Sequence, residues 1–162
     1  LDASSTALFI AQKIKAKKDI TLLTNSLEVL MELSDVTGWK ILSTGGSLKE
    51  RSCALIGSQA EECLERFHVD KAFISCKGVE AEHGFSDSSD AHAAVKRKMI
   101  AAASQVFFAV DSSKFGKLSF ASISGFSGID AVITERCPSD EWNRIFVAND
   151  IECIYPRGGE NG

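Results

Sequence analysis

Val106-Phe107-Phe108-Ala109-Val110 runs without a break into Asp111-Ser112-Ser113-Lys114. Five consecutive apolar residues leave no polar face, so this segment is predicted to be a strand buried on both sides, as in a parallel sheet. It stops at a charged, hydroxyl-bearing loop, which puts polar chemistry directly at the strand's carboxyl end. The same pattern repeats in both directions along the chain. Residues 20–24, 40–44 and 71–75 read as strands, Leu1-Asp2 as the last step of another, and 120–123, 131–133 and 152–155 as later ones.

Helical spacing fills the intervals. Ser4-Ser5-Thr6 can cap a helix carrying Leu8, Ala11 and Ile14 on one face. A second helix starts at Ser26 and buries Val29, Leu30 and Leu33. Others are expected over 58–67, over 91–103 with Asp90 as cap, and over 139–149. Strands alternating with helices predict an α/β fold, a mostly parallel sheet flanked by helices. Residues 76–89 break the rhythm. They hold Gly78, Gly84 and the polar run Ser86-Asp87-Ser88-Ser89, and read as a long loop of the functional or mobile kind.

Composition narrows the function. At 162 residues, 44% apolar and 25% charged, the chain suits one globular domain, predicted over 1–156 with a Gly-rich tail at 157–162. It starts at Leu1 without a methionine, so an upstream segment is expected. The net charge of −4 argues against a domain whose own work is gripping nucleic acid. Lys15-Ala16-Lys17-Lys18 and Lys96-Arg97-Lys98 read as solvated helix faces. No apolar run is long enough for a bilayer, so no membrane partner is expected. Five cysteines without a C-x-x-C pair and three histidines without ligand spacing predict reduced thiols in a cytoplasmic protein, no metal site and no cofactor.

Ligands of open α/β sheets bind beyond the carboxyl ends of the strands. The residues expected there are Asp2, Ser4, Ser5 and Thr6; then Thr24, Asn25 and Ser26; then Gly45 and Gly46; then Lys77 and Gly78; then Asp111 and Lys114. Hydroxyls, glycines and helix N-termini suit a phosphate, because they offer free N–H groups, close approach and a favourable dipole. Each piece alone has an ordinary explanation as a cap or turn. Their weight lies in sharing one edge of a parallel sheet. Cys76 beside Lys77 is the one nucleophile to consider, a buried idle thiol being the simpler reading. The nucleophile-elbow, zincin, P-loop and dinucleotide fingerprints are absent from the sequence.

The order of the segments resembles a known family. Leu1-Asp2-Ala3-Ser4-Ser5-Thr6, Thr24-Asn25-Ser26, Gly45-Gly46, Asp70-Lys71-Ala72-Phe73-Ile74 with Gly78-Val79, and Gly84-Phe85-Ser86 are similar to the effector-binding domain of DeoR-type bacterial transcription repressors. Val95-Lys96-Arg97-Lys98-Met99-Ile100, Asp111-Ser112-Ser113-Lys114-Phe115-Gly116 and Ile129-Asp130 through Ile133-Thr134 continue the match. The resemblance implies a fold like that of ribose-5-phosphate isomerase and glucosamine-6-phosphate deaminase. It also implies a non-catalytic sensor of a phosphorylated sugar or related metabolite, and a winged helix-turn-helix, absent from this chain, that contacts DNA. A homo-oligomer is expected with it, because repressors read paired half-sites. The chain departs from the family where Ser4 and Ser5 replace a Gly-Thr pair, and where His92 replaces an acidic residue.

On this reading the phosphate docks at Ser4, Ser5 and Thr6 with Lys77 or Lys114 nearby. Asp2, Asn25 and Asp111 meet the sugar hydroxyls, and residues 76–89 close over the ligand. The alternative is an isomerase or deaminase of the same fold. Ser75-Cys76-Lys77-Gly78 lacks the paired carboxylates that such proton transfer uses, which disfavours it.

Overall fold

The computed structural model describes residues 1–156, so the tail expected at 157–162 lies outside the described residues. The chain begins with α1 (Ser5–Ile14), β1 (Thr21–Thr24), α2 (Leu27–Glu32) and β2 (Lys40–Ser43). A hairpin of β3 (Ser47–Lys49) and β4 (Ala54–Ile56) leads to α3 (Ser58–Leu64) and β5 (Val69–Ser75). Then come β6 (Gly78–Glu80), β7 (Gly84–Asp87), α4 (Asp90–Ala101) and β8 (Ala103–Ala109). The chain finishes with β9 (Ala121–Ser124), β10 (Ala131–Ile133), α5 (Asp140–Ala148) and β11 (Glu152–Ile154). Among the described residues no helix is long and apolar enough to cross a membrane.

The fold is α/β with a mostly parallel sheet. β5, β8, β10 and β11 pair in parallel in the order β11-β10-β8-β5, and β1 and β2 form a second parallel pair. Leu1 and Asp2 stand where the two meet. The Leu1 ammonium donates to the Leu23 carbonyl at 2.9 Å, and the Asp2 N–H donates to the Phe73 carbonyl at 3.3 Å. The strand step expected at Leu1-Asp2 therefore lies between β1 and β5.

Side-chain caps set the helix starts. Ser4 accepts from the Ala7 N–H at 3.0 Å, Ser26 from Val29 at 3.2 Å and Ser139 from Trp142 at 3.5 Å. Ser89 precedes α4 in cap position without making such a bond.

On one face of β8 Val106 and Phe108 are buried, with Phe108 stacked on Phe85 at a centroid distance of 3.8 Å. The other face is only partly covered. There Phe107 stacks on Phe73 at 5.0 Å, and the Lys71 ammonium lies 5.8 Å over the Phe107 ring. The strand expected to be buried on both faces thus has one dry face and one half-covered by an aromatic pair and a cation.

The largest departure is residues 76–89. Instead of a long loop they form the antiparallel β6-β7 hairpin, which β9 extends to three strands. All four residues of β7 are buried. Its polar groups are satisfied inside: Ser86 Oγ donates to the Gly78 carbonyl at 3.2 Å and accepts from the Ser119 N–H at 2.9 Å. Gly84 has φ +71°, and a Cβ there would lie 2.4 Å from the Ser124 carbonyl, so only glycine lets β7 approach β9. A buried hairpin cannot swing shut over a ligand, which corrects the expected closing segment. The β3-β4 hairpin was also unforeseen, since three-residue strands show too little alternation to read.

Truncating Phe108 to Ala removes the centre of the aromatic stack. The expected loss of unfolding free energy is about 3–5 kcal/mol, measured by urea denaturation.

Candidate functional site: a polar cleft at the strand ends

The site is built on a buried ammonium. Lys96 of α4 is 5% exposed, and its Nζ lies 2.6 Å from Asp87 Oδ2, 3.3 Å from Asp2 Oδ2 and 2.8 Å from the Ser75 carbonyl. The expectation of a solvated face at Lys96-Arg97-Lys98 is thus overturned for Lys96. Arg97 and Lys98 stay at the surface and pair with Asp90 and Glu65. Helical periodicity explains the split, since Lys96 follows the buried Val95 and precedes the buried Met99 on the inner side of α4.

The two carboxylates are themselves held. Asp2 accepts from Ser4 Oγ at 2.6 Å, from the Ser75 N–H at 2.9 Å and from Ser75 Oγ at 3.1 Å. Asp87 accepts from the Ser89 N–H at 3.3 Å. Burial alone would lower the Lys96 pKa, but the two carboxylates outweigh it and raise the value above that of an ordinary lysine. Burial alone would raise Asp87, and the Lys96 ammonium outweighs it, holding the carboxyl below its ordinary value. Lys96 and Asp87 are therefore both charged at neutral pH.

Above this floor lies a cleft of about 500 Å³. Ser4, Ser5 and Thr6 line it from α1, Lys77 from the end of β5, and Asp111 and Lys114 from the end of β8. Ser88 and Ser89 line it from just before α4, His92 from the first turn of α4, and Lys49 and Arg51 from the β3-β4 hairpin. Lys49 Nζ donates to Ser89 Oγ, so the hairpin touches the start of α4. Helix geometry leaves the first N–H groups of α1 and α4 without carbonyl partners, and Ser4 satisfies only that of Ala7. Two helix N-termini thus meet five cationic side chains, Lys96 among them, and the carboxylates of Glu28, Asp87 and Asp111 in one cleft, in a chain whose net charge is −4.

The expected site residues divide on this geometry. Ser4, Ser5, Thr6, Lys77, Asp111 and Lys114 come together in the cleft. Asp2 lies under it, bound to Lys96. Thr24, Asn25 and Ser26 are buried at the end of β1 and do not line it. Thr24 Oγ1 accepts from the Ser26 N–H at 3.1 Å, and the Asn25 amide donates to the Leu55 carbonyl at 2.9 Å. Asn25 Oδ1 is buried with no hydrogen-bond partner.

Gly45, Gly46 and Gly78 are also outside the lining. A Cβ on Gly46 would lie 2.6 Å from the Ile56 carbonyl, and one on Gly78 would lie 2.3 Å from the Lys117 carbonyl. At Gly46 and Gly78 glycine lets backbone pack on backbone, whereas Gly45 has open space around it and a φ of +65° that favours glycine. Lys49, Arg51 and Lys96 escaped the sequence reading of the site, while Asp87 and His92 entered it only within residues 76–89 and as a departure from the family. The only available signal was the position of Lys96, which shares the inner face with Val95 and Met99.

Asp111 anchors its own loop, accepting from the Ser113 N–H at 3.1 Å, with Lys114 Nζ 3.6 Å away. The Ser113 hydroxyl is the main cause holding its carboxyl below the ordinary value. Cys76 is buried, and burial pushes its thiol up to about 12. It is no nucleophile at neutral pH. Burial also lowers His92, keeping its imidazole neutral near pH 7.

Comparison with known proteins matches residues 1–136 to the family model described as the DeoR C terminal sensor domain. The chain is 40% identical over 135 residues to the uncharacterized HTH-type transcriptional regulator YulB of Bacillus subtilis, covering 83% of this chain and 52% of that protein. It is 38% identical over 160 residues to the HTH-type transcriptional repressor GlcR of the same organism, covering 99% and 61%. Identity to the L-fucose operon activator of Haemophilus influenzae is 30% over 154 residues, covering 95% and 61%. The chain therefore spans between half and two-thirds of the length of these relatives.

Two outcomes follow from the buried charges. Replacing Lys96 with Met strands two buried carboxylates and is expected to cost about 3–5 kcal/mol at pH 7 in chemical denaturation. In the parent chain the depressed Asp87 contributes stability above its unfolded pKa and loses it as pH falls through the folded value. In the Lys96→Met variant the carboxylates gain by protonation, so its deficit should shrink as pH falls to about 4. Separately, iodoacetamide at pH 8 should label the exposed Cys53 and Cys137 and spare Cys76, as peptide mass spectrometry would show.

Proposed function

Because this chain belongs to the DeoR C-terminal sensor domain family, we propose that it is the effector-sensing part of a transcription regulator and that its cleft binds a phosphorylated sugar or related metabolite. The observation that carries this reading is the convergence of two helix N-termini with Lys49, Arg51, Lys77 and Lys114 in one polar cleft. The phosphate sits against the N–H groups of Ser5 and Thr6, with Lys77 and Lys114 as cationic donors. Sugar hydroxyls meet Asp111. Asp2 acts from below, by holding Ser4 and Lys96 in place.

In the complete protein, a helix-turn-helix part would carry the DNA contacts, in keeping with the negative charge of the present chain. Ligand binding would alter that part only by favouring one arrangement of the whole over another. A homo-oligomer fits the paired half-sites such regulators read. The alternative isomerase or deaminase reading is set aside. The relatives are named as regulators, and the carboxylates on the cleft floor are tied to Lys96.

The test is isothermal calorimetry with a panel of sugar phosphates, followed by titration of the tightest ligand against Lys77→Ala, Lys114→Ala and Ser5→Ala. Each lysine variant is expected to weaken binding by roughly 10-fold or more, the value of a charge-assisted hydrogen bond. Ser5→Ala keeps the backbone donors and should weaken it less. Unchanged affinity in both lysine variants would overturn the assignment of the cleft.

A further inference from the structure

His92 stands in the first turn of α4, half-buried on the wall of the polar cleft. Ser89 holds the cap position before it, yet its hydroxyl makes no cap bond to the helix and accepts from Lys49 instead. The N–H groups of the first turn of α4 therefore stay uncapped by Ser89, with the imidazole on the same turn. The other two histidines lie elsewhere. His83 is exposed and bonded to Glu80 at 2.8 Å, and His68 lines a different cavity.

The charges around the imidazole pull both ways. Asp87 of β7 and Asp2 beneath the floor favour a proton on it. Burial opposes one, as do Lys96, one turn along α4, and Lys49 of β3. The rest of the lining adds Glu28 and Asp111 on one side of the balance and Arg51, Lys77 and Lys114 on the other. Five cations against three carboxylates leave a surplus of two positive charges, which disfavours a further cation. A doubly charged anion cancels that surplus and leaves the pull of Asp87, whereas a singly charged one cancels half of it. A phosphate monoester is close to doubly charged at neutral pH, and a phosphodiester or a carboxylate carries one charge.

We propose that His92 is the residue by which the cleft distinguishes a dianion from a monoanion. Its imidazole takes up a proton from solvent when a doubly charged group enters, and the imidazolium then donates to that group. This role rests on the cleft being a phosphate site, and it narrows the ligand to a monoester. Binding and protonation favour each other. Affinity therefore rises as pH falls from the midpoint of His92 in the complex to its lower midpoint in the free domain. Lysine and arginine keep their charge over this range, and so do Asp87 and Asp111, both held below the ordinary carboxylate value.

The test uses inorganic sulfate, a dianion whose own charge does not change in this range, and methyl sulfate, a monoanion. Imidazole Cε1–H signals are followed by NMR from about pH 8 to about pH 5, the His92 signal being assigned by its loss in His92→Gln. Sulfate is expected to move the His92 midpoint to higher pH and to leave those of His68 and His83 in place, with a smaller effect from methyl sulfate. Sulfate affinity, read from the amide shifts of Ser5 and Thr6, should rise by up to ~10-fold per pH unit as pH falls toward the free midpoint. In His92→Gln it should stay flat. A His92 midpoint unmoved while those amides respond overturns this proposal and leaves the cleft reading intact, and equal effects of the two anions do the same. Sulfate that moves neither the amides nor the imidazole overturns both.

Discussion

The ammonium of Lys96, held between the carboxylates of Asp2 and Asp87, fixes the geometry of the functional end of this domain. Moving a lone charge into a protein interior costs several kcal/mol, and here the cost is offset only because two anions and the Ser75 carbonyl surround it. The three side chains come from the start of the chain, from β7 and from α4. Satisfying one cation therefore locks three distant segments into a single floor. Ser4 and Ser75 are drawn in through Asp2, and Ser89 through Asp87, so the network also sets the starts of α1 and α4.

With the floor fixed, the cleft above acquires its character from elements that each had a local reason to end there. Parallel strands deliver Lys77, Asp111 and Lys114 to one edge, and helices that begin at that edge deliver unpaired N–H groups. Cations outnumber carboxylates in the lining of the cleft although the chain as a whole is negative, the condition under which an anion is drawn to one place and not spread over the surface. Buried and neutralised, Lys96 contributes shape more than net charge. In the proposed complex the ligand charge would be met by Lys49, Arg51, Lys77 and Lys114.

Much of the fold was legible because it rests on local chemistry. The strand at Ala131–Ile133 and the helix between Ser139 and Asn149 follow from an apolar run and from capping residues, which act over one turn. What escaped depended on pairing across the chain. Ser86 and Asp87 look solvent-seeking until their partners Gly78, Ser119 and Lys96 are known, so a buried hairpin read as a loop. The same blindness hid Lys96, whose burial makes sense only beside Asp2 and Asp87. Within the site, residues at strand ends were legible by type, but Thr24, Asn25, Ser26 and the glycines turned out to serve packing and turns. Lys49 and Arg51 arrive on a hairpin too short to show a period.

The central claim is that the polar cleft is where a phosphorylated metabolite is sensed. Two-dimensional amide NMR, recorded while the tightest sugar phosphate is titrated in, tests it most directly. The account predicts the largest shifts at Ser5, Thr6, Lys77, Asp90, His92 and Lys114, converging from α1, α4 and the ends of β5 and β8. Shifts confined to another surface, with these amides unmoved at saturation, would contradict it.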